Sequence, residues 1–348
     1  MKTFKQIIFI LVIFLKTETV LSESNLFSVN NIELEKKNRV TNNALAEKAI
    51  QKGFDQLKEK ILLKEDSAKL SDLSFASIKQ LVTYYQINNL LEKKNSKEFV
   101  NFSVTFDKDK IHNLFFERGI SYSEISDKEI YILPILIKGE EVFIFNNNYF
   151  YENWNNLNKE NLIEFNLPIE NIEIIQYVNK SKKNLINLEI RDLFKEYTNK
   201  NLALILIEQN KKEAGKVYIK AKIQGKNISK NFSFKRKDLK VDKFNEKIIK
   251  DLKLELTNLI KSANLIDIRT PSFLNVKLDL NKKSNLVILN ARIKNIESIE
   301  NIYVQDFNKD SMNLRIKYLG KLDKIINQLK KENINLSLIR DQWVIKTL

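Results

Sequence analysis

The sequence predicts a mixed α+β or α/β protein built from several small modules, and two patterns carry this prediction. Segments typical of strands alternate with segments typical of helices through the middle of the chain, as in layered α/β structures. Residues 267–348 show the order β-α-β-β-α-β of a ferredoxin-like motif. The 348 residues suffice for two or three domains. The predicted modules are an N-terminal α+β module, a central α/β module and a C-terminal ferredoxin-like module, at 23–119, 120–266 and 267–348.

The elements follow from the spacing of apolar residues. In the N-terminal module they are a strand at 25–35, a helix at 46–63, strands at 82–91 and 99–106, and a helix at 108–117 capped by Asp107. In the central module they are a strand at 130–137 interrupted by Pro134, a returning strand at 142–145, an aromatic helix at 149–157, strands at 172–178 and 202–207, a hairpin at 217–234 and a helix at 244–263. In the C-terminal module they are strands at 273–280, 299–304, 314–319, 334–339 and 343–345, with helices at 286–296 and 320–329.

The first 22 residues have the layout of a secretory signal peptide. Lys2 and Lys5 precede an uninterrupted apolar run at residues 7–15. As a helix this run reaches about 14 Å, too short for a hydrocarbon core of about 30 Å. We expect cleavage near Ser22 and Glu23 and export to the periplasm; a buried first element of a cytoplasmic protein is the alternative. No cysteine follows the run, so we do not expect a lipid-anchored protein.

Composition limits the possible chemistry. The chain has no cysteine, which excludes disulfides, thiolate nucleophiles and cysteine metal sites. Its net charge of +15 attracts anionic surfaces in general. Lysine greatly outnumbers arginine and glycine is rare along the whole chain, a bias that AT-rich codons produce. We therefore attribute most of the charge to codon bias and do not expect nucleic acid as the partner.

Few residues offer catalytic or cofactor chemistry. His112 is the only histidine, and we expect it on the solvated side of its helix. The six glycines are isolated, so neither a dinucleotide fingerprint nor a phosphate-binding loop can form, and we expect no cofactor. Residues 306–310 begin like a calcium loop but lack its later Gly and Glu, so we interpret them as a hairpin turn and expect no metal site.

Two segments are candidates for binding. The densest basic stretch is a possible anion-binding site, with Phe232 and Phe234 between its cations; its candidate residues are Lys226, Lys230, Lys235, Arg236 and Lys237. The apolar alternation also fits a half-buried strand with lysines on its wet face. The second candidate is an aromatic segment, of which Tyr149, Tyr151 and Trp154 are a possible partner-binding surface or else part of a core.

The stretch 99–155 has a recognisable pattern. A strand ends in Phe106 and Asp107, a helix follows, and after it come residues 119–123, the strand at 131–136, an Asn-rich link at 146–148 and an aromatic helix ending in Trp154. This pattern resembles a widespread family of exported Gram-negative bacterial proteins that is defined only as a domain of unknown function. Ala44, Ala46 and Ala49 also fit the family, so the resemblance covers mainly residues 26–160. Phe143, Phe145, Tyr149 and Phe150 stand where the family has Trp and Pro. The resemblance implies export and architecture but no chemistry.

We therefore expect a non-enzymatic periplasmic protein that binds other envelope proteins or anionic envelope components. One alternative is a carboxylate-dependent envelope hydrolase, which two convergent carboxylates about 5–10 Å apart in a pocket would favour. Another is a basic module for anionic lipid or nucleic acid, which a continuous lysine face with salt-dependent binding would favour. The sequence predicts no oligomeric state.

Overall fold

The protein is a mixed α+β chain with several small sheets. A computed structural model describes residues 26–36, 41–94, 97–125, 127–156, 162–209, 214–236, 240–280 and 284–347. It contains two compact units, of which the first combines Met1–Tyr122 with Asp267–Leu348 and the second is Ser123–Ile266. The predicted signal peptide and Lys237 lie outside the described residues.

The N-terminal part of the first unit is a three-stranded antiparallel sheet with a long helix packed on it. Its elements are β1 (Ser28–Glu35), α1 (Asn42–Ile61), α2 (Lys64–Ala68), α3 (Phe75–Gln80), β2 (Val82–Lys94), β3 (Lys97–Phe106) and α4 (Lys108–Arg118). The strand order is β1-β3-β2. A Cβ atom at Gly53 would lie 3.0 Å from Ile32 and 3.4 Å from Val104, so this glycine lets α1 approach the sheet closely.

The helix α4 begins where the sequence predicts it, after the cap at Asp107. Asp107 caps α4, and its carboxylate accepts hydrogen bonds from the backbone N–H groups of Asp109 and Lys110. Gly119 ends α4 with φ of 58°, in the left-handed region that favours glycine.

The second unit is a six-stranded mixed sheet covered on both faces. Its strands are β5 (Glu129–Lys138), β6 (Glu141–Phe143), β7 (Glu164–Asn166), β8 (Asn201–Gln209), β9 (Ala214–Ile223) and β10 (Lys226–Lys235), and the short strands β4 (Tyr122–Ser123) and β11 (Leu265–Ile266) stand at its ends in sequence. Its helices are α5 (Tyr149–Asn153), α6 (Ile172–Lys180), α7 (Ile190–Leu193) and α8 (Val241–Ala263), with 3-10 turns at Trp154–Asn156, Leu185–Asn187 and Lys195–Tyr197. The strand order is β10-β9-β8-β5-β6, and β7 also pairs with β5. β5 is parallel to β8 and β7, and the other pairs are antiparallel.

Two cores lie on opposite faces of this sheet. α8 covers one face, where it packs against inward side chains of β5, β8 and β9 such as Ile132, Ile205 and Ile219. α6, α7 and their flanking turns cover the other face over Leu133 and Leu204. The central strands β5 and β8 are therefore buried on both sides, which explains their nearly continuous apolar sequences.

The segment at 172–178 is the helix α6, so the predicted strand there is wrong. Ile174 and Val178 are four residues apart and both are buried on one side of the helix. The side chain of Asn171 accepts a hydrogen bond from the backbone N–H of Glu173 and caps the helix. A short apolar run fits a strand or a helix equally well, and here the capping residue decided for the helix.

β5 continues through Pro134, although the sequence predicted an interruption there. Pro134 lies opposite Ile205 of β8. On the other side of β5, β7 pairs with residues 129–131 and β6 pairs with residues 136–138. Pro134 therefore stands where that edge of β5 has no strand partner in the described chain, the kind of position that a residue without an N–H group can occupy.

Asn148 fills this gap between β6 and β7. The side chain is fully buried, and its nitrogen lies 2.8 Å from the carbonyl oxygen of Pro134, 3.1 Å from that of Phe143 and 2.8 Å from that of Ile144. Its oxygen accepts hydrogen bonds from two backbone N–H groups in the first turn of α5. One amide thus satisfies strand carbonyls and caps the aromatic helix.

The C-terminal part of the first unit is a five-stranded sheet with two helices on one face. Its elements are β12 (Ser272–Asp279), α9 (Ser284–Ile293), β13 (Ile299–Phe307), β14 (Ser311–Tyr318), α10 (Leu322–Lys331), β15 (Ile334–Ile339) and β16 (Gln342–Thr347). The strand order is β13-β14-β12-β16-β15, with β16 parallel to β12 and the other pairs antiparallel. The predicted order of elements is present, and β16 is inserted between β12 and β15.

We predict that Asn148→Ala lowers the free energy of unfolding by about 2–4 kcal/mol, because several buried carbonyl and N–H groups lose their partner at once. Chemical denaturation with circular dichroism measures this change. Asn156→Ala is the matched control, since Asn156 is exposed and bonds only within its own turn. Equal stability of the two variants would contradict the role given to Asn148.

Candidate functional site

Trp154 and Phe150 of the aromatic segment lie in the core. Both side chains are fully buried in the cluster beneath α8, and the Trp154 ring meets Phe165 edge-on at 6.1 Å between centroids. The indole N–H of Trp154 has no hydrogen-bond partner among the described residues. Trp154 therefore offers no surface to a partner, and the core alternative applies to it.

The two tyrosines of the segment are half-buried. The Tyr151 hydroxyl donates a hydrogen bond to the carbonyl oxygen of Pro168 at 2.8 Å, and its ring meets Phe145 edge-on. Burial raises the pKa of Tyr151, and nearby Glu170 raises it further. Burial likewise raises the pKa of Tyr149, with Glu246 adding to the effect. Both phenols stay protonated at neutral pH and contribute chiefly to packing.

The predicted anion-binding residues do not share one face. β10 alternates, so Lys226 and Lys230 point with Ile228, Phe232 and Phe234 to the side covered by α8, whereas Lys235 points to the opposite side. Lys230 forms an ion pair with Glu255 of α8. Arg236 follows the end of β10 and has interactions of its own.

The structure instead gathers lysines on β9. Residues 216, 220 and 222 are lysines at alternate positions and lie on the side of the sheet away from α8. The register places Lys216 beside Ser233, Lys220 beside Ser229 and Lys222 beside Asn227, and puts Lys235 on the same side. We call this surface the lysine face, defined by Lys216, Lys220, Lys222 and Lys235.

The lysines of this face differ in their partners. Lys220 donates to the carbonyl oxygen of Leu188 at 2.9 Å and to the carboxylate of Glu189 at 3.1 Å, so it is tied to the segment before α7. Lys216, Lys222 and Lys235 form no ion pair or hydrogen bond with their side chains in the described part of the chain. Glu208 lies opposite Lys216 in the register but makes no ion pair with it. Within the described residues, the face thus carries three ammonium groups that are not held in an ion pair.

Sequence reasoning predicted the strand β9 but did not select its lysines as a candidate site, because it looked for the highest density of lysines along the chain. The useful signal was alternation. In residues 216–223 every second residue is Lys or Tyr and the residues between are Val, Ile and Ala. Such a pattern predicts a strand with one buried and one basic face, whereas adjacent lysines in a strand would point to opposite faces.

His112 is buried, so the prediction of a solvated histidine is wrong. Only 7% of the residue is exposed; its ring stacks on Tyr122 at 5.4 Å and meets Phe27 edge-on at 5.5 Å. Nδ1 lies 3.9 Å from a carboxylate oxygen of Glu300, which also pairs with Lys317 at 2.8 Å. The helical spacing of Ile111, His112 and Phe115 places all three inward, which the polar flanking residues concealed.

Burial, with a smaller contribution from the nearby charge of Lys108, lowers the pKa of His112 to about 4, although Glu300 opposes both effects. His112 is therefore neutral at physiological pH. A general base needs access to a substrate proton, and this ring is enclosed by aromatic side chains. The geometry supports a packing role for His112 and gives no triad.

One depression in the described residues bears on the hydrolase alternative, and it does not contain paired acids. An open depression of about 550 Å³ between α3 and α4 is lined by both helices and contains one carboxylate, Glu117, beside Lys110. Within the ranges described, no group of three or more His, Asp or Glu side chains could hold a metal ion. In the same ranges, no helix combines the length and the apolar character needed to cross a bilayer.

We predict that His112 makes stability depend on pH between about 6.5 and 4. The unfolded histidine binds a proton near pH 6.5 and the folded one only near pH 4, so the free energy of unfolding falls as the pH drops through this window. The full contribution is about 3 kcal/mol. His112→Phe keeps an aromatic ring but cannot titrate, so its stability should vary less over this window. Because the chain has a single histidine, NMR titration of its ring gives the folded pKa directly, and a value near 6.5 would contradict the burial.

Comparisons with known proteins add little to this site. No protein-family model matches the chain, and no curated protein matches it. One solved structure, described as "Crystal structure of uncharacterized protein", is 8% identical and has a TM-score of 0.18; the match covers 40% of this chain and 95% of that chain. A similarity at this level carries no argument about fold or activity.

Proposed function

We propose that this protein is an exported, non-enzymatic envelope protein that binds an anionic partner through the lysine face. The observation that carries the proposal is the arrangement on β9 and β10, where Lys216, Lys222 and Lys235 share one side of the sheet without a carboxylate partner among the described residues. The lysines of this side outnumber the described carboxylates beside them, Glu189 and Glu208, and an excess of like charge favours a partner of opposite charge.

The alternation along β9 supports a selected face over codon bias alone. Codon bias raises the number of lysines but does not confine them to one side of a strand, as at positions 216, 220 and 222. The buried positions between them, Val217, Ile219 and Ala221, keep the face in register, because a slip by one residue would bury the lysines.

The proposal also includes an export signal at the N-terminus and a ferredoxin-like module at the C-terminus. The charged start and short apolar run of residues 1–22 support export to the periplasm, with cleavage near Ser22 and Glu23. The C-terminal module is a variant of a ferredoxin-like motif, and the order of its elements along the chain through β15 supports this. That motif serves many functions and does not choose one.

We predict that Lys216→Gln, Lys222→Gln and Lys235→Gln together weaken binding of poly-L-glutamate about tenfold at moderate salt. Each exposed charge contact contributes about 0.5 kcal/mol, and three together reach the 1.4 kcal/mol of a tenfold change. Fluorescence anisotropy with a labelled polymer measures the affinity, and added salt should weaken binding to the wild-type protein.

The matched control removes the same charge elsewhere in the second unit. Lys182→Gln, Lys247→Gln and Lys250→Gln change exposed lysines outside the lysine face. We expect this control to bind poly-L-glutamate nearly as well as the wild type. Equal losses in both triple variants would show that net charge, and not the lysine face, determines binding.

We also predict that protein recovered from a Gram-negative expression host begins at or near Glu23 and is found in the periplasmic fraction. Mass spectrometry of the intact protein identifies the first residue. A variant with Ile10→Lys and Ile13→Lys should stay in the cytoplasm with its first 22 residues, because a charged apolar run no longer acts as an export signal. An uncleaved cytoplasmic wild-type protein would overturn the export proposal.

A further inference from the structure

β10 is the end strand of the six-stranded sheet, and it is regular. All ten of its residues pair with β9 in one unbroken register, from Lys226 opposite Ile223 to Lys235 opposite Ala214. The strand contains no proline, glycine or bulge. No strand in the described part of the chain pairs with its outer edge. Alternate residues of β10 therefore direct their N–H and C=O groups outward.

The side chains beside this edge are short on the lysine face. Asn227, Ser229, Asn231 and Ser233 are exposed there and lie between the β9 lysines and the outer edge. Strands are about 4.8 Å apart, and an extended lysine side chain is long enough to pass over one strand of short residues. The ammonium groups of Lys216 and Lys222 can therefore reach carboxylates on a strand added next to β10.

The other side of β10 carries three apolar residues together with Lys226 and Lys230, and Lys230 is paired with Glu255 of α8. Ile228, Phe232 and Phe234 are half-buried and pack against the cluster beneath α8, and the two phenylalanine rings meet edge-on at 5.4 Å. An added strand would extend this row with apolar side chains. The two sides of β10 together fit a strand whose residues alternate between acidic and apolar.

We infer that β10 binds an extended segment of another protein, with alternating acidic and apolar residues, as a seventh strand of the sheet. This inference rests on the proposed function and names its partner. Backbone hydrogen bonds to the outer edge of β10 supply affinity, and the lysine face selects acidic side chains.

Edge strands often carry lysines that prevent pairing between copies. In this chain the central positions of β10 on the lysine face are neutral, and the lysines beside them stand one strand further inside, on β9. Lys230, near the middle of β10, lies on the other side of the strand and is paired with Glu255. Among the described residues this placement favours strand addition over a guarded edge.

The test uses a ten-residue peptide that alternates Glu and Val, together with two isomers in which either the Glu or the Val residues carry N-methyl groups on the backbone. All three peptides have the same charge. A strand presents alternate residues to each edge, so one isomer blocks the edge that faces β10 and the other blocks the free edge. With the full-length mature protein, we expect the parent peptide and one isomer to bind, and the other isomer to bind at least tenfold more weakly.

Each outcome separates the two proposals. If both isomers bind as tightly as the parent peptide, strand addition is overturned while the lysine face stands. Failure of the parent peptide alongside binding of poly-L-glutamate leads to the same conclusion and makes a flexible polyanion the partner. If neither the peptides nor poly-L-glutamate bind, both the proposed function and this inference are overturned. In the supporting case, hydrogen exchange of residues 226–235 slows when the peptide binds.

Discussion

The burial of β5 and β8 on both faces determines the arrangement of the second unit. These parallel strands carry apolar residues at almost every position, so each face of the sheet must be covered. α8 covers one face along its length, whereas the other face is covered by the short helices α6 and α7. Short helices leave the outer part of that face exposed. The lysines of β9 lie there, at the boundary where burial ends.

The gap along β5 is closed by side chains instead of by a strand. β6 and β7 each pair with only three residues of β5, and Pro134 stands between them. A continuous partner strand would leave no room for Asn148 to reach the carbonyl oxygen of Pro134. The same amide caps α5, so the sheet edge also fixes where the aromatic segment begins. Burial of Phe150 and Trp154 follows from that starting point.

Asn148 in the second unit and His112 in the first are both buried polar side chains, but they affect stability in different ways. Asn148 has hydrogen-bond partners for both ends of its amide, and it links elements that are distant in sequence. His112 has one ring nitrogen near Glu300 and the other without a hydrogen-bond partner among the described residues. An amide with satisfied bonds stabilises at any pH, whereas a neutral buried imidazole stabilises only above the pH at which the unfolded chain takes up a proton. The first is a structural link, and the second connects stability to pH.

Much of the fold could be predicted where the spacing of apolar residues and the capping residues indicated the same element. The long helices α1 and α8, the hairpin of β9 and β10 and the cap at Asp107 follow from patterns within one window of sequence. Prediction failed at 172–178, where a short apolar run fits two structures, and at Pro134, where the absence of a neighbouring strand cannot be read locally. The candidate site was only partly predictable, since Lys235 belongs to the lysine face but Lys226 and Lys230 do not.

The sequence by itself determined the alternation of β9, and therefore that Lys216, Lys220 and Lys222 share one side of a strand, because side chains in a strand point to opposite faces in turn. It also determined the absence of cysteine chemistry and the single histidine. Only the tertiary structure decided which face α8 covers, which lysines have carboxylate partners and that His112 is enclosed. Those properties depend on residues far apart in the chain, and local periodicity contains no information about distant partners.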